Sequence, residues 1–185
     1  MLTPNDLPVV PELEALAATL LPEVLAAPQS AWVPMPAATM YKGDWLALLF
    51  SAGPWSQEFP GVNLAANLER FPQAAALLSR HPEISVFGVL KLFPGAELLP
   101  HRDRRADDEV RVNIPMQLGP EDGPPWVLGR ARLLDIRELH HSKDPGLQAR
   151  ITLVADVRVG RVVVEGEVAL KVACQHPQYV RSLVL

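Results

Sequence analysis

Four residues carry the chemistry this chain can offer. His101 and Asp103 stand two apart, and a pair of histidines, His140 and His141, follows about forty residues on. Residues i and i+2 of a strand point to the same face. The imidazole of His101 and the carboxylate of Asp103 can therefore reach one ion from one strand end while Arg102 points away. Adding one imidazole from the second stretch gives two nitrogens and one oxygen on one side of a metal, with the opposite positions open. That is the ligand set of non-haem Fe(II) sites. Imidazole ligates in its neutral form, so binding weakens as pH falls through the ordinary histidine range, near about 6.5. Alone, His-x-Asp is weak. Arg102, Arg104, Arg105, Asp107 and Asp108 surround or follow it, and such a run also reads as a solvated loop.

A site of this kind needs strands that bring distant segments together. Pro94-Gly95 is a turn signal just upstream of His101. Pro100 removes a ladder hydrogen bond and puts His101 at a strand margin. From Ile84 the apolar period becomes two, which predicts a strand over 84–93. In the strand expected over 109–118, Val110, Val112, Ile114 and Met116 share one face, and Arg111, Asn113 and Pro115 the other. In the strand expected over 150–157, Arg150, Thr152 and Val154 share one face, and Ile151, Leu153 and Ala155 the other. Residues 118–125 read as a loop and 126–134 as a hairpin turning at Gly129-Arg130. Residues 140–146 read as a turn-rich loop, and 162–168 as a hairpin turning at Glu165-Gly166.

The first eighty residues read differently. Leu13, Leu16, Leu20, Leu21, Val24 and Leu25 recur at helical spacing, predicting an amphipathic helix over 11–27 that Pro28 ends. Leu64, Leu68, Phe71, Ala75 and Leu78 predict helix over 62–81, broken at Pro72 into two short pieces. Between them, Tyr41 to Trp45 looks like a strand-turn-strand corner with both aromatic rings in the core. Trp55 falls in a loop rich in turn residues. His81 and His176 each stand beside a proline and receive no role.

Composition narrows the class. A chain of 185 residues, 49% apolar, fits one globular domain with a sound core. A net charge of −4 argues against a nucleic-acid surface. No run of 18 apolar residues suggests a membrane span, and no basic segment precedes an apolar run as in a leader peptide. The single cysteine, Cys174, excludes an intrachain disulfide, and the expectation is a reducing, cytoplasmic setting. It lies in an apolar run, as a buried, inert thiol does.

From about residue 86 to 157 the chain resembles the aspartyl/asparaginyl β-hydroxylase family, which includes bacterial proline cis-hydroxylases. The matching blocks come in order: Pro94-Gly95 ahead of His101-Arg-Asp103; Arg111-Val-Asn113-Ile-Pro115-Met; Trp126-Val-Leu-Gly129; Leu133-Leu-Asp135 through His140; and Arg150 opening a strand that ends in Asp156. Upstream, the Tyr41 to Trp45 run is similar to one that begins the main sheet in relatives.

The resemblance implies a mainly β, cupin-like double-stranded β-helix (jelly roll) with N-terminal helices packed outside. Within a single domain over 1–185, the helical part would span about 1–82, the barrel core about 84–157 and a C-terminal β extension about 158–185. It implies Fe(II) held by His101, Asp103 and His140, with dioxygen and 2-oxoglutarate as co-substrates. His140 is preferred over His141 because it lies five residues after Asp135 and ten before Arg150, as in relatives. It implies Arg150 on the distal carboxylate of 2-oxoglutarate, since a guanidinium accepts a carboxylate bidentately and stays charged. Arg111 and Asn113 would support it. The activity implied is hydroxylation of an amino-acid-like substrate, a small molecule or a peptide, with 2-oxoglutarate decarboxylated to succinate. Two positions depart from the family. Asn113 replaces the second His of the Arg-x-His strand, and Leu90 stands eleven residues before the metal His where relatives often have Ser. Both bear on co-substrate affinity rather than on the metal. Two alternatives share the barrel: a metal-binding cupin-like protein without 2-oxoglutarate oxygenase activity, and a binding module without metal.

Overall fold

The computed structural model describes residues 3–36, 38–103, 108–120, 122, 126–134, 138–142, 146–159, 161–164 and 167–170. Its helices are α1 (Val10–Leu25), α2 (Leu64–Arg70) and α3 (Pro72–Arg80). The strands are β1 (Val33–Pro34), β2 (Tyr41–Lys42), β3 (Trp45–Ser51), β4 (Ile84–Leu92), β5 (Glu97–His101), β6 (Glu109–Gln117), β7 (Arg132–Leu134), β8 (His140–Ser142), β9 (Arg150–Arg158), β10 (Arg161–Val164) and β11 (Glu167–Leu170). One sheet has the order β1-β3-β4-β9-β6-β7 and a second the order β2-β5-β8; the β10–β11 pair stands by itself. All the pairings are antiparallel.

From β4 onward the chain alternates between sheets. β4 is in the large sheet, β5 in the small, β6 and β7 in the large, β8 in the small, and β9 returns to the large sheet between β4 and β6. This back-and-forth winding is the jelly-roll, cupin-like double-stranded β-helix, and the protein is mainly β. The two sheets face each other, because side chains of the small-sheet segments reach the large sheet: Asp103 accepts from Arg111 on β6, and Arg150 on β9 donates to Ser142 on β8.

Period-two alternation decides which residues line that space. Phe87, Val89, Val112, Ile114, Met116, Ile151, Leu153, Ala155 and Val157 turn to the outer face of the large sheet and form the main core. Helix α1 covers this face with Val10, Leu13, Leu16, Ala17, Leu20 and Val24. Each large side chain buried there contributes on the order of 1.5–3 kcal/mol. The apolar stripe of α1 is narrower than its leucine spacing predicts, since Leu21 is half-buried and Leu25 exposed. The inner face carries Arg111, Asn113, Arg150, Thr152, Val154 and Asp156, as the alternation of β6 and β9 requires. A smaller cluster of Val33, Ala47, Leu49, Ala52 and Phe59, with Leu64 and Leu90 against it, fills the β1–β3 end.

Turn chemistry fits the corners. Gly43 has φ +74° where the chain leaves β2 for β3, and a Cβ there would lie 2.8 Å from the Ala96 backbone. Only glycine tolerates both demands. Gly95, at φ +79°, makes the turn between β4 and β5. Pro72 opens α3 at its first turn, so the break between α2 and α3 falls where the sequence puts it. No described helix is long and apolar enough to cross a membrane.

Three further expectations differ from the structure. Residues 140–146, read as a turn-rich loop, begin as strand β8, which pairing with β5 extends despite the turn residues that follow. Tyr41 and Trp45 are half-buried, not core. They meet edge to face at 5.5 Å, and the Tyr41 hydroxyl donates to Met35 O, which holds it at the rim. Residues 126–134 form only half a hairpin. The turn is at Gly129, whose N–H donates to Pro115 O at 2.8 Å, but a strand follows it and none precedes it. Trp126 has the guanidiniums of two arginines over its ring. Trp55 lies in the 3-10 segment Gly53–Glu58, its side chain outside the described ones. Arg104, Arg105, Asp107, Asp135, Glu165-Gly166, Cys174 and His176 lie outside the described residues.

Candidate metal centre

Strand pairing builds the site. β5 ends on His101, and β8 pairs with it so that His101 and His140 stand directly opposite, their rings 4.2 Å apart between centroids. Asp103, two residues on, brings Oδ1 to 3.3 Å from His101 Nε2. One ligand atom from each of His101, Asp103 and His140 lies within 4.8 Å of the other two. Metal–nitrogen and metal–oxygen bonds are about 2.0–2.2 Å, so donors sharing an ion stand within about 4.4 Å, and these three are at or near that spacing. His140 and Ser142 alternate inward on β8 while His141 points out and is exposed. Strand parity thus separates the two histidines that sequence spacing leaves in competition.

The imidazoles are set for ligation. His101 Nδ1 donates to Leu99 O at 2.7 Å and His140 Nδ1 to Glu138 O at 2.9 Å. A carbonyl only accepts, so in each neutral ring the proton sits on Nδ1 and the Nε2 lone pair is left for a metal. Backbone acceptors of this kind fix ring orientation as well as tautomer.

The carboxylate is held from behind. Arg111 Nη1 donates to Asp103 Oδ2 at 2.8 Å, leaving Oδ1 on the histidine side. The same guanidinium binds Asp156 through Nε at 2.8 Å and Nη2 at 3.2 Å. Asp156 is only 1% exposed. Burial alone would lower the pKa of Arg111, but Asp156 and then Asp103 outweigh it and hold it above the ordinary guanidinium range. Arg111, expected beside the co-substrate, is directed at these two carboxylates.

Arg150 opens β9 and is 6% exposed on the inner face. Its Nη1 donates to Asp122 Oδ1 at 2.5 Å and its Nη2 to Ser142 Oγ. Ser142 shares a strand face with His140, so this guanidinium lies on the metal side of the cavity. Burial lowers its pKa and Asp122 partly restores it. Asn113, 7% exposed, has an Oδ1 with no hydrogen-bond partner. Two guanidiniums lie over the Trp126 ring, with Arg132 Cζ 5.5 Å and Arg150 Cζ 5.6 Å from its centroid. Leu90 is half-buried opposite Thr152 and packs on the smaller apolar cluster.

Sequence reasoning assigned no role to Asp156, Asp122, Ser142 or Arg132. A signal existed for Asp156, an acid on the same strand face as Arg150. None existed for Asp122, which sits in a segment that composition marks only as a loop.

The His140 ring carries a pH prediction. Burial is the largest influence on it and lowers its pKa, opposed by its bond to Glu138 O. Its neutral form is therefore favoured by folding. The unfolded chain binds the extra proton first, so this group's penalty on stability and on ligation appears as pH falls below about 6.5 and is absent above it. In metal-free protein, long-range imidazole nitrogen NMR is expected to give a His140 midpoint below that of free histidine, with the Nδ1–H tautomer at both His101 and His140. An Nε2–H tautomer at either would contradict the geometry.

No protein-family model matches the chain, and no curated protein matches it. Among solved structures it is similar to a predicted oxalate decarboxylase from Thermotoga maritima, at 16% identity over 71% of this chain and 97% of that one, TM-score 0.41. It is also similar to a prolyl-4-hydroxylase from Pseudomonas putida, at 16% identity over 82% of this chain and 88% of that one, TM-score 0.39. Likeness at this level decides neither fold nor function; the strand order given above is what defines the fold.

Proposed function

We propose that the protein is an Fe(II)/2-oxoglutarate-dependent dioxygenase, of the aspartyl/asparaginyl β-hydroxylase type, that hydroxylates an amino-acid-like substrate. The observation that carries this is the convergence of His101, Asp103 and His140, with the Nδ1–H of each neutral ring committed to a backbone carbonyl so that Nε2 faces the shared site. Two imidazoles and a carboxylate on one side suit Fe(II) and leave its remaining positions open. Bound there, the iron would supply the redox chemistry that couples dioxygen to keto-acid decarboxylation. The chain's own part is positional. His101 and His140 hold neutral nitrogen donors in place, Asp103 offers an anionic oxygen, and Arg111 keeps that carboxylate from turning. The facing sheets enclose the space, and Asn113, Arg132 and Arg150 give its inner wall a polar, cationic lining.

A second reading keeps the metal and drops 2-oxoglutarate. It is favoured by one observation: Arg150, the cation expected for the distal carboxylate, already has Asp122 as its counter-ion. Anaerobic addition of Fe(II) and 2-oxoglutarate followed by dioxygen separates the two. The oxygenase reading expects a weak visible charge-transfer band and then succinate. Metal binding with neither the band nor succinate would overturn it in favour of the second.

A further inference from the structure

We propose that Arg132, with Trp126 and Asn113, forms the subsite that takes a ligand carboxylate in this barrel, and that Arg150 is a structural cation closed off by Asp122. This rests on the reading of the cavity as a ligand site, though not on the metal.

Four observations lead to it. Arg150 spends one end of its fork on the carboxylate of Asp122, whose side chain is almost fully buried, and the other on Ser142. Its charge is balanced inside the protein, so an incoming anion would have to displace a resident one. Arg132 is different. It is half-buried on β7, directly opposite Asn113 on β6, and residues paired across an antiparallel ladder project to the same face. That face is the one lined by Arg111 and Asn113. Among the described residues no carboxylate reaches the Arg132 guanidinium, which lies over the Trp126 ring. A guanidinium held over an indole face by its charge still has its N–H fork to offer, and such a fork receives a carboxylate bidentately. Fourth, the Asn113 Oδ1 beside it is buried without a donor. Buried acceptors are nearly always satisfied, so an N–H or O–H of a bound molecule is its natural complement. A carboxylate on Arg132, a donor group on Asn113 and an apolar stem along Trp126 describe a small carboxylic acid bearing a hydrogen-bond donor or a second polar group.

The carboxylate could belong to 2-oxoglutarate or to an amino acid, and the test separates them. Metal-free and Zn(II)-loaded protein are titrated by calorimetry with 2-oxoglutarate and, singly, with the twenty protein amino acids. The same titrations are run on Arg132→Met, Arg132→Lys and Asp122→Asn, each first checked for an unchanged melting temperature and circular dichroism. The expected result is binding to the unsubstituted protein that weakens at least about tenfold in Arg132→Met, a loss of about 1.4 kcal/mol, with partial recovery in Arg132→Lys. Loss of 2-oxoglutarate binding assigns the carboxylate to the co-substrate; loss confined to amino acids assigns it to the substrate. Either supports the subsite. Unchanged binding in Arg132→Met overturns it, as does absence of any binding to the unsubstituted protein in either metal state. A large gain of affinity in Asp122→Asn, with no change in Arg132→Met, would return the role to Arg150. Because the titrations need no iron and no turnover, they can fail while the oxygenase reading stands, and the reverse.

Discussion

Asp103→Ala is expected to abolish Fe(II)-dependent succinate formation while leaving the protein folded. The substitution removes the one anionic donor of the three and leaves two neutral imidazoles to hold a divalent cation. Losing a residue that merely supports a ligand costs roughly 10–100-fold in metal affinity or activity, and losing the ligand itself should exceed that. The fold should survive because Asp103 lies just past the end of β5, and Arg111 keeps its two bonds to Asp156. Succinate yield and thermal melting, measured on the same preparation, check both halves. Turnover within a fewfold of the unsubstituted protein would remove Asp103 from the metal.

Arg111→Met should have the largest effect on stability. Its guanidinium bridges Asp156, 1% exposed, and Asp103. Breaking a buried ion pair from one side costs about 3–5 kcal/mol, because a charge is left in a poorly solvated place. Removing both partners in favour of apolar side chains is far cheaper. The double variant Arg111→Met, Asp156→Leu should therefore regain much of the lost melting temperature. It should not regain Fe(II) affinity, since Asp103 still lacks the donor that orients it. That split separates a positioning role from a purely structural one. Recovery of both quantities together would make Arg111 structural only.

The parts of this site that a sequence exposes are those with a period. The two faces of β6 and of β9 follow from alternation, so Arg111 with Asn113, and Arg150 with Thr152, are grouped by the sequence, although which face turns inward is not. The spacing of His101 and Asp103 likewise survives folding because one strand end carries both. Helix α1 was legible from its leucines, although the edge of the stripe was not: Val24 is buried while Leu25, one position round the helix, is exposed. What periodicity cannot encode is pairing across long sequence separations. Arg111 and Asp156 stand 45 positions apart, and Arg150 and Asp122 stand 28 apart. Their contacts depend on strand order, in particular on β9 returning beside β6. Trp126 shows the limit from another side. Its flanking residues suggest a strand, but residues 126–128 form none, and Trp126 has two guanidiniums over its ring.

In the proposed site, His101, Asp103 and His140 together hold one iron. This is tested most directly by anaerobic equilibrium dialysis of Fe(II) against the unsubstituted protein and His140→Ala, both with confirmed native circular dichroism. One ion per chain, with binding weakened by orders of magnitude in the variant, is the predicted result. Equal binding by the two proteins would contradict it.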